Sequence, residues 1–407
     1  MKQGRVVVVG AGASGILAAI TAAKQGAKVT LLERNTKIGK KILATGNGRC
    51  NLANVGAFRY NGGALFAEHV FSVISVKEVL STLESLGLAL TQKEDRIYPL
   101  ADQASVVVEV LKNALSRMSI QVECNQTVTS VKKSETTYQV QTHDGLTYEG
   151  ERVILAVGSP AGGNLGSPLA SYALAKNLGH SMTPLLPALT SLIAKKGDVR
   201  DLSGMRIHAI VSLRKENATV LSTQGEVLFS DYGVSGICIM QLALAAQHLL
   251  AKSDDVSLSL DFSPMLGIGE KQFGSISLHQ KQDNINAVKA MLDARAKAMP
   301  KEDILLGLLP MALYKKLRKE RPYDLPKWLT DYPVRIVEAR PFENAQVANG
   351  GIDTREVFPY TMQSMCSNGL YLTGEMLDVD GDCGGFNLMF AFASGILAGK
   401  KATETLM

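Results

Sequence analysis

Apolar positions change their spacing along the chain, and each spacing predicts a different element. Residues 6–9 are a continuous valine run, the pattern of a strand buried on both faces of a parallel sheet. Residues 14–25 are Ala-rich and read as a helix, and residues 29–32 as a second strand. Residues 61–87 carry Leu65, Val70, Val73, Ile74, Val79, Leu80, Leu83 and Leu86 at three-to-four spacing, which predicts helices with these positions in the core. Residues 105–116 repeat that pattern with Val106, Val107, Val110, Leu111 and Leu115. Alternation at 120–124 and 128–131 predicts strands, and residues 138–142 and 146–150 flank Asp144-Gly145, a hairpin turn. Residues 153–157 return to the parallel sheet and end at Gly158.

From Ser191 the character changes to short alternating segments (192–194, 208–213, 220–222, 226–229) separated by Gly, Asp and Asn, followed by an apolar helix at 237–250 with a buried character and a strand at 257–262. Residues 264–326 are rich in Ala, Leu and Lys and read as helical, with breaks at Pro300 and Pro310. The expected organisation is a first domain of residues 1–190 and 345–407, an inserted β-rich domain of 191–263 and 327–344, and a helical subdomain of 264–326.

Composition narrows the class. The 407 residues are 46% hydrophobic and 20% charged, as in an enzyme with a large core, and the net charge of +5 is too mild over this length to argue for nucleic acid. Lys315, Lys316, Arg318, Lys319 and Arg321 form a basic run that reads as a solvated helix face. The five cysteines are odd in number and contain no C-x-x-C pair, which fits a reducing cytoplasm and argues against a thioredoxin-reductase type of dithiol chemistry. Lys2 and Arg5 before an apolar run imitate a signal peptide, but glycines at fixed offsets favour a nucleotide-binding start, and no other stretch reaches the ~18 apolar residues of a membrane span.

Those glycines are Gly10, Gly12 and Gly15, in G-x-G-x-x-G without a further glycine. Gly10 permits the turn, Gly12 lets backbone approach a pyrophosphate, and Gly15 lets helix and strand lie close. The helix then presents its N-terminal N–H groups to that pyrophosphate. Glu33, at the end of the second strand and about 20 residues beyond the glycines, is placed to bond a ribose and argues against a 2′-phosphate. Residues 34–54 combine φ-permissive glycines with Arg34, Lys41, Arg49 and several amides, which suits backbone that wraps phosphates and a flat ring. Near the C-terminus Glu375, Asp378, Asp380 and Asp382 crowd a short loop. An EF-hand register would need an acid where Met389 stands, so no metal is expected there.

The run Gly39-Lys-Lys41-Ile-Leu-Ala-Thr45-Gly46-Asn47-Gly48-Arg49-Cys50-Asn51 resembles the G-K-K-x-L-x-[ST]-G-x-G-R-C-N signature of the YhiN-like, or BaiN-like, NAD(P)/FAD-dependent oxidoreductases. Further blocks at 154–189, 225–236, 350–355 and 374–387 extend the likeness over nearly the whole chain. The resemblance implies an α/β fold: a glutathione-reductase-like FAD-binding domain, with parallel sheet and β-meander, carrying an inserted β-rich domain with a helical subdomain. It implies one non-covalent FAD. Ala13 and Ser14 join the glycine turn, Thr45, Gly46, Asn47, Cys50 and Asn51 join the loop, Val128 lies against adenine, and Ala156 and Gly158 cross the dinucleotide. Gly374 and Glu375 face the ribityl chain, with Asp382, Gly385, Phe386, Asn387 and Leu388 around the flavin ring. The helix opening there aims N–H groups at the ring edge where charge develops on reduction.

Three positions depart from the family pattern: Ser230-Asp231 replaces a Thr-His pair, and Cys383 stands where Thr is common. No catalytic histidine therefore carries over, and Lys41 and Arg49 are the candidates for polarising a bound anion or carbonyl. No second dinucleotide motif exists, so NAD(P)H would dock transiently as electron donor. The expected activity is an NAD(P)H-driven reductase of a small-molecule C=C or similar acceptor. The alternatives are an aminoacetone-oxidase-like amine oxidase using O₂ and a non-catalytic flavin-bearing RNA-binding protein.

Overall fold

The computed structural model describes residues 4–268, 278–300 and 303–404. The strand Arg5–Val9 sits at the centre of a five-stranded parallel sheet, between Arg152–Leu155 and Lys28–Leu32, with Leu370–Leu372 and Gln121–Glu123 outermost. Val6, Val7, Val8 and Val9 are all buried, as a strand covered on both faces requires. The strand expected over 153–157 stops at Leu155, because the chain must leave the sheet to cross the glycine turn. Val128–Lys133, Tyr138–Thr142 and Thr147–Gly150 form the antiparallel meander, with Gly145 at φ +84° in its turn.

The helices Ala13–Lys24 and Phe386–Glu404 pack together through small residues. A Cβ on Gly395 would lie 2.2 Å from Ser14 O, and one on Gly399 would lie 2.5 Å from Ala18 O. This i,i+4 glycine pair lets the C-terminal helix touch the backbone of the first.

The helices Ala64–Val73 and Val76–Ser85 are separate, and Ser75 caps the second by accepting from Glu78 N–H. The break corrects the core expectation at two positions. Leu65 is 71% exposed and Val73 36%, because the first helix turns Phe66, Ala67 and Val70 inward instead.

The chain divides into two compact units, residues 1–186 with 347–407 and residues 187–346. The second contains a closed six-stranded barrel in the order Leu192–Ala194, Gly233–Ser235, Ala218–Phe229, Arg206–Lys215, Val256–Asp261, Tyr332–Ala339. Along the last strand Tyr332, Val334 and Ile336 point to the core and alternate with outward Pro333, Arg335 and Val337. The segments expected at 220–222 and 226–229 are one twelve-residue strand. Gly225 is not a turn there: a Cβ on it would lie 3.2 Å from Cys238 Cβ, so it marks the close approach of helix Ile237–Leu250.

The 264–326 stretch contains helices Leu278–Ala298 and Met311–Glu320, with Pro310 at the start of the latter, and Leu325–Thr330 follows. Residues 269–277 and 301–302 of that stretch lie outside the described residues. The basic run is not wholly solvated. Lys316 is 3% exposed, donates to Gly197 O at 3.1 Å and pairs with Glu320, while Lys319 pairs with Asp201. Among the described residues no helix is long and apolar enough to cross a membrane.

Candidate functional site

The three glycines of the first turn do different work. Gly10 has φ +103°, and a Cβ on it would meet Ala156 O at 2.4 Å. A Cβ on Gly15 would meet Gly10 O at 1.9 Å and Ala156 Cβ at 3.1 Å. These two, with Ala156, let strand, turn and helix touch. Gly12 has an ordinary extended backbone (φ −83°, ψ −168°) and nothing within 4 Å of a built Cβ. Its missing side chain serves open space at the N-terminus of Ala13–Lys24, where N–H groups face outward for an anion. Ser14 lies beneath, its Oγ against Gly374, whose N–H donates to Ser394 Oγ at 3.1 Å.

Glu33 is 8% exposed and already held by the chain. Its Oε2 accepts Ala11 N–H at 2.9 Å, and its Oε1 accepts Asn35 N–H at 2.8 Å and Asn35 Nδ2–H at 2.7 Å. A carboxylate has about four acceptor sites, so one remains for a ribose hydroxyl. The acid therefore ties the glycine turn to the start of the following loop.

That loop is built by left-handed residues: Gly46 (φ +58°), Asn47 (φ +56°), Gly48 (φ +85°) and Cys50 (φ +61°). Thr45 closes it by donating to Ile42 O at 2.6 Å, and burial pushes the Cys50 thiol up to about 11, which makes it a packed, unreactive group. Arg34 donates to Gly166 O and Lys40 to Asn164 O, so the loop is strapped to the segment after Gly158. Val128 opens the meander at a bulge opposite Thr142.

Lys41 and Glu375 meet: Nζ lies 2.5 Å from Oε2, with the two side chains 29% and 18% exposed. Arg49 does not join them. It is 62% exposed and faces Asp102 at 3.7 Å, which Lys93 also reaches at 3.3 Å. The C-terminal acids disperse to separate partners. Asp380 accepts Gly62 N–H and Asn349 Nδ2–H, burial raising its pKa, and Asp382 faces Asn61 and Arg59. Asn387 pins the loop through both its amide atoms to Gly381, at 2.8 Å each. The C-terminal helix begins at Phe386, and Met389 N–H makes a helical bond to Gly385 O. The sequence reading missed Ser394 and the Gly395/Gly399 pair, whose i,i+4 spacing of small residues on an apolar helix was the available signal.

Two buried oxygens in this region, Asn51 Oδ1 and Glu375 Oε1, have no hydrogen-bond partner from the chain. Unpaired buried acceptors are costly, and a ligand rich in hydroxyl and ring N–H donors satisfies them. With the open space at Gly12, the residues present fit FAD.

The profile of the HI0933-like protein Rossmann domain matches residues 4–401. The chain is similar to a 3-dehydro-bile acid delta(4,6)-reductase of Clostridium scindens, at 36% identity over 420 residues, 98% of this chain and 99% of the relative. It is also similar to a ribosomal RNA dihydrouridine synthase of Escherichia coli, at 25% identity over 405 residues, 97% and 96% of the two chains. Among solved structures, the open conformation of a flavocytochrome c3 fumarate reductase superposes with a TM-score of 0.52 at 17% identity, covering 99% of this chain and 78% of that one, which shows a shared fold.

Proposed function

The chain belongs to the HI0933-like Rossmann family and is an FAD-dependent oxidoreductase, and we propose that it is a reductase that adds hydrogen across a C=C bond conjugated to a carbonyl in a small organic acceptor, with NADH or NADPH as reductant. The carrying observation is end-to-end likeness, at 36% identity, to a relative named as a bile-acid reductase.

Bound FAD supplies the two-electron chemistry, and position and electrostatics fall to the protein. In this reading the glycine turn and helix Ala13–Lys24 hold the pyrophosphate, Glu33 the ribose, and Val128 the adenine. Loop residues Thr45 to Asn51, with Asp382 and Gly385 to Leu388, enclose the ring. Glu375 takes ribityl hydroxyls on its unpaired Oε1, while Lys41 keeps the other oxygen neutralised. Arg49, exposed at the rim, attracts the negative charge of an acceptor or nicotinamide phosphate.

A second reading has a specific motive. Forming dihydrouridine also saturates a C=C conjugated to a carbonyl, so the relative named for that reaction shares the chemistry and differs in acceptor size. The inward Lys316 and the Lys319–Asp201 pair leave less of the basic helix for RNA, which favours the small acceptor.

Mixing the protein anaerobically with NADH, NADPH and a panel of small amines, while following flavin absorbance, tests the donor. Rapid bleaching by a nicotinamide, then reoxidation by a conjugated enone steroid faster than by air, is expected. Bleaching by amines alone, with hydrogen peroxide formed in air, makes it an oxidase. Reoxidation by ribosomal RNA alone makes the acceptor RNA.

A further inference from the structure

Outside the residues assigned to FAD, His180, Glu356 and Cys366 converge in the first unit. His180 Nδ1 lies 3.3 Å from Glu356 Oε2 and 4.0 Å from Cys366 Sγ, and one ligand atom from each residue falls within 4.8 Å of the other two. Imidazole, carboxylate and thiol together are the donor set of a borderline-soft divalent ion. Tetrahedral zinc, bonded at about 2.1 Å to nitrogen and oxygen and about 2.3 Å to sulfur, sets N and O about 3.4 Å apart and N and S about 3.6 Å apart. The nitrogen–oxygen pair already has that spacing, and the thiol lies about half an ångström beyond it from the nitrogen.

Two of the ligands are held by groups that do not face the ion. Glu356 accepts Ser181 N–H at Oε2 (2.8 Å) and Ser181 O–H at Oε1 (2.7 Å), leaving a lone pair on Oε2 toward His180. His180 Nε2 lies 2.7 Å from Ser364 Oγ, which is itself fixed by the N–H groups of Cys366 and Ser367 at 3.0 and 2.9 Å. Such outer partners orient ligands in metal sites. The His180 side chain is fully buried, whereas Cys366 is exposed, so the solvent side is left for a fourth ligand.

The geometry points to a site for one zinc-like divalent ion, ligated by His180 Nδ1, Glu356 and Cys366 Sγ with water in the fourth position. Binding releases the Cys366 thiol proton, and the imidazole proton sits on Nε2, donated to Ser364 Oγ. Burial favours the neutral imidazole that a metal needs but holds the thiol protonated, so the ion competes with a proton at sulfur. Ser364 Oγ then receives three N–H donors for two lone pairs, which makes the site weaker than a closed structural zinc centre.

Equilibrium dialysis of the flavin-loaded protein against Zn²⁺ under reducing conditions, with metal counted per chain, tests the site. Co²⁺ then serves as a spectroscopic probe at wavelengths beyond the flavin absorption. The expected result is one ion per chain with tetrahedral ligand-field bands, lost in Cys366→Ser and Glu356→Gln at unchanged flavin content and melting temperature. Ser181→Ala should weaken the ion about tenfold. Absence of stoichiometric uptake, or uptake that survives Cys366→Ser, overturns the site.

Discussion

Lys41 Nζ and Glu375 Oε2 lie 2.5 Å apart, although the residues are 334 positions apart in the chain. One comes from the loop after strand Lys28–Leu32 and the other from the turn after strand Leu370–Leu372, so this ion pair ties together two segments distant in the chain. Lys41→Met leaves a largely buried carboxylate with no cation beside it. The variant should lose about 1.5–3 kcal/mol of stability, the worth of a hydrogen bond to a charged group, as read by urea denaturation of the apo-protein. Lys41→Arg should recover part of it. Unchanged stability in Lys41→Met would mean that solvent replaces the pair.

Gly12 and Gly15 should separate cofactor binding from folding. Gly12→Ala meets no atom and keeps an allowed backbone, so the apo-protein should melt within about 0.5 kcal/mol of wild type while FAD titration shows a large loss of affinity. Gly15→Ala drives a Cβ into Gly10 O and should destabilise the apo-protein itself. Equal effects of the two substitutions on melting would contradict the assignment.

Glu33→Ala should act on the fold as well as on the cofactor. Three donors of the chain lose their acceptor, so the apo-protein should lose about 2–3 kcal/mol, and FAD affinity should fall further than that of Glu33→Gln. A variant with wild-type apo stability and weak FAD binding would show that the carboxylate serves the ribose alone.

The barrel carries an acid-sensitive cluster. Burial pushes the Asp331 carboxyl up, but the Ser259 hydroxyl, Lys281 (2.9 Å) and Arg214 (2.7 Å) outweigh it and hold the pKa below the usual range. A depressed folded pKa contributes stability above the unfolded value, about 3.9 for Asp, and that contribution is lost as pH falls through the folded value. Asp331→Asn should therefore cost stability at neutral pH, and its deficit against wild type should shrink below about pH 4. Chemical denaturation at several pH values measures the difference, and a pH-independent deficit would assign the loss to packing.

Local pattern carried what depends on neighbours in sequence. The valine run 6–9 read as a strand covered on both faces, and glycines at fixed offsets before an Ala-rich run specified a turn opening a helix. Asp144-Gly145 specified a hairpin, and Pro310 a break in the helical stretch, which the structure places at the start of Met311–Glu320. The partner that Gly395 meets (Ser14), the Lys41–Glu375 pair and the His180–Glu356–Cys366 cluster were not legible. Each joins residues far apart in sequence, and no period or spacing encodes which distant turn arrives beside which. The outward turn of Leu65 and the inward turn of Lys316 have the same origin: helical spacing specifies a face, but packing decides what that face meets. Local chemistry thus determined the dinucleotide-binding scaffold, and tertiary structure decided which charges are paired and which acceptors, Glu375 Oε1 and Asn51 Oδ1, stay unsatisfied, because only folding removes water from them.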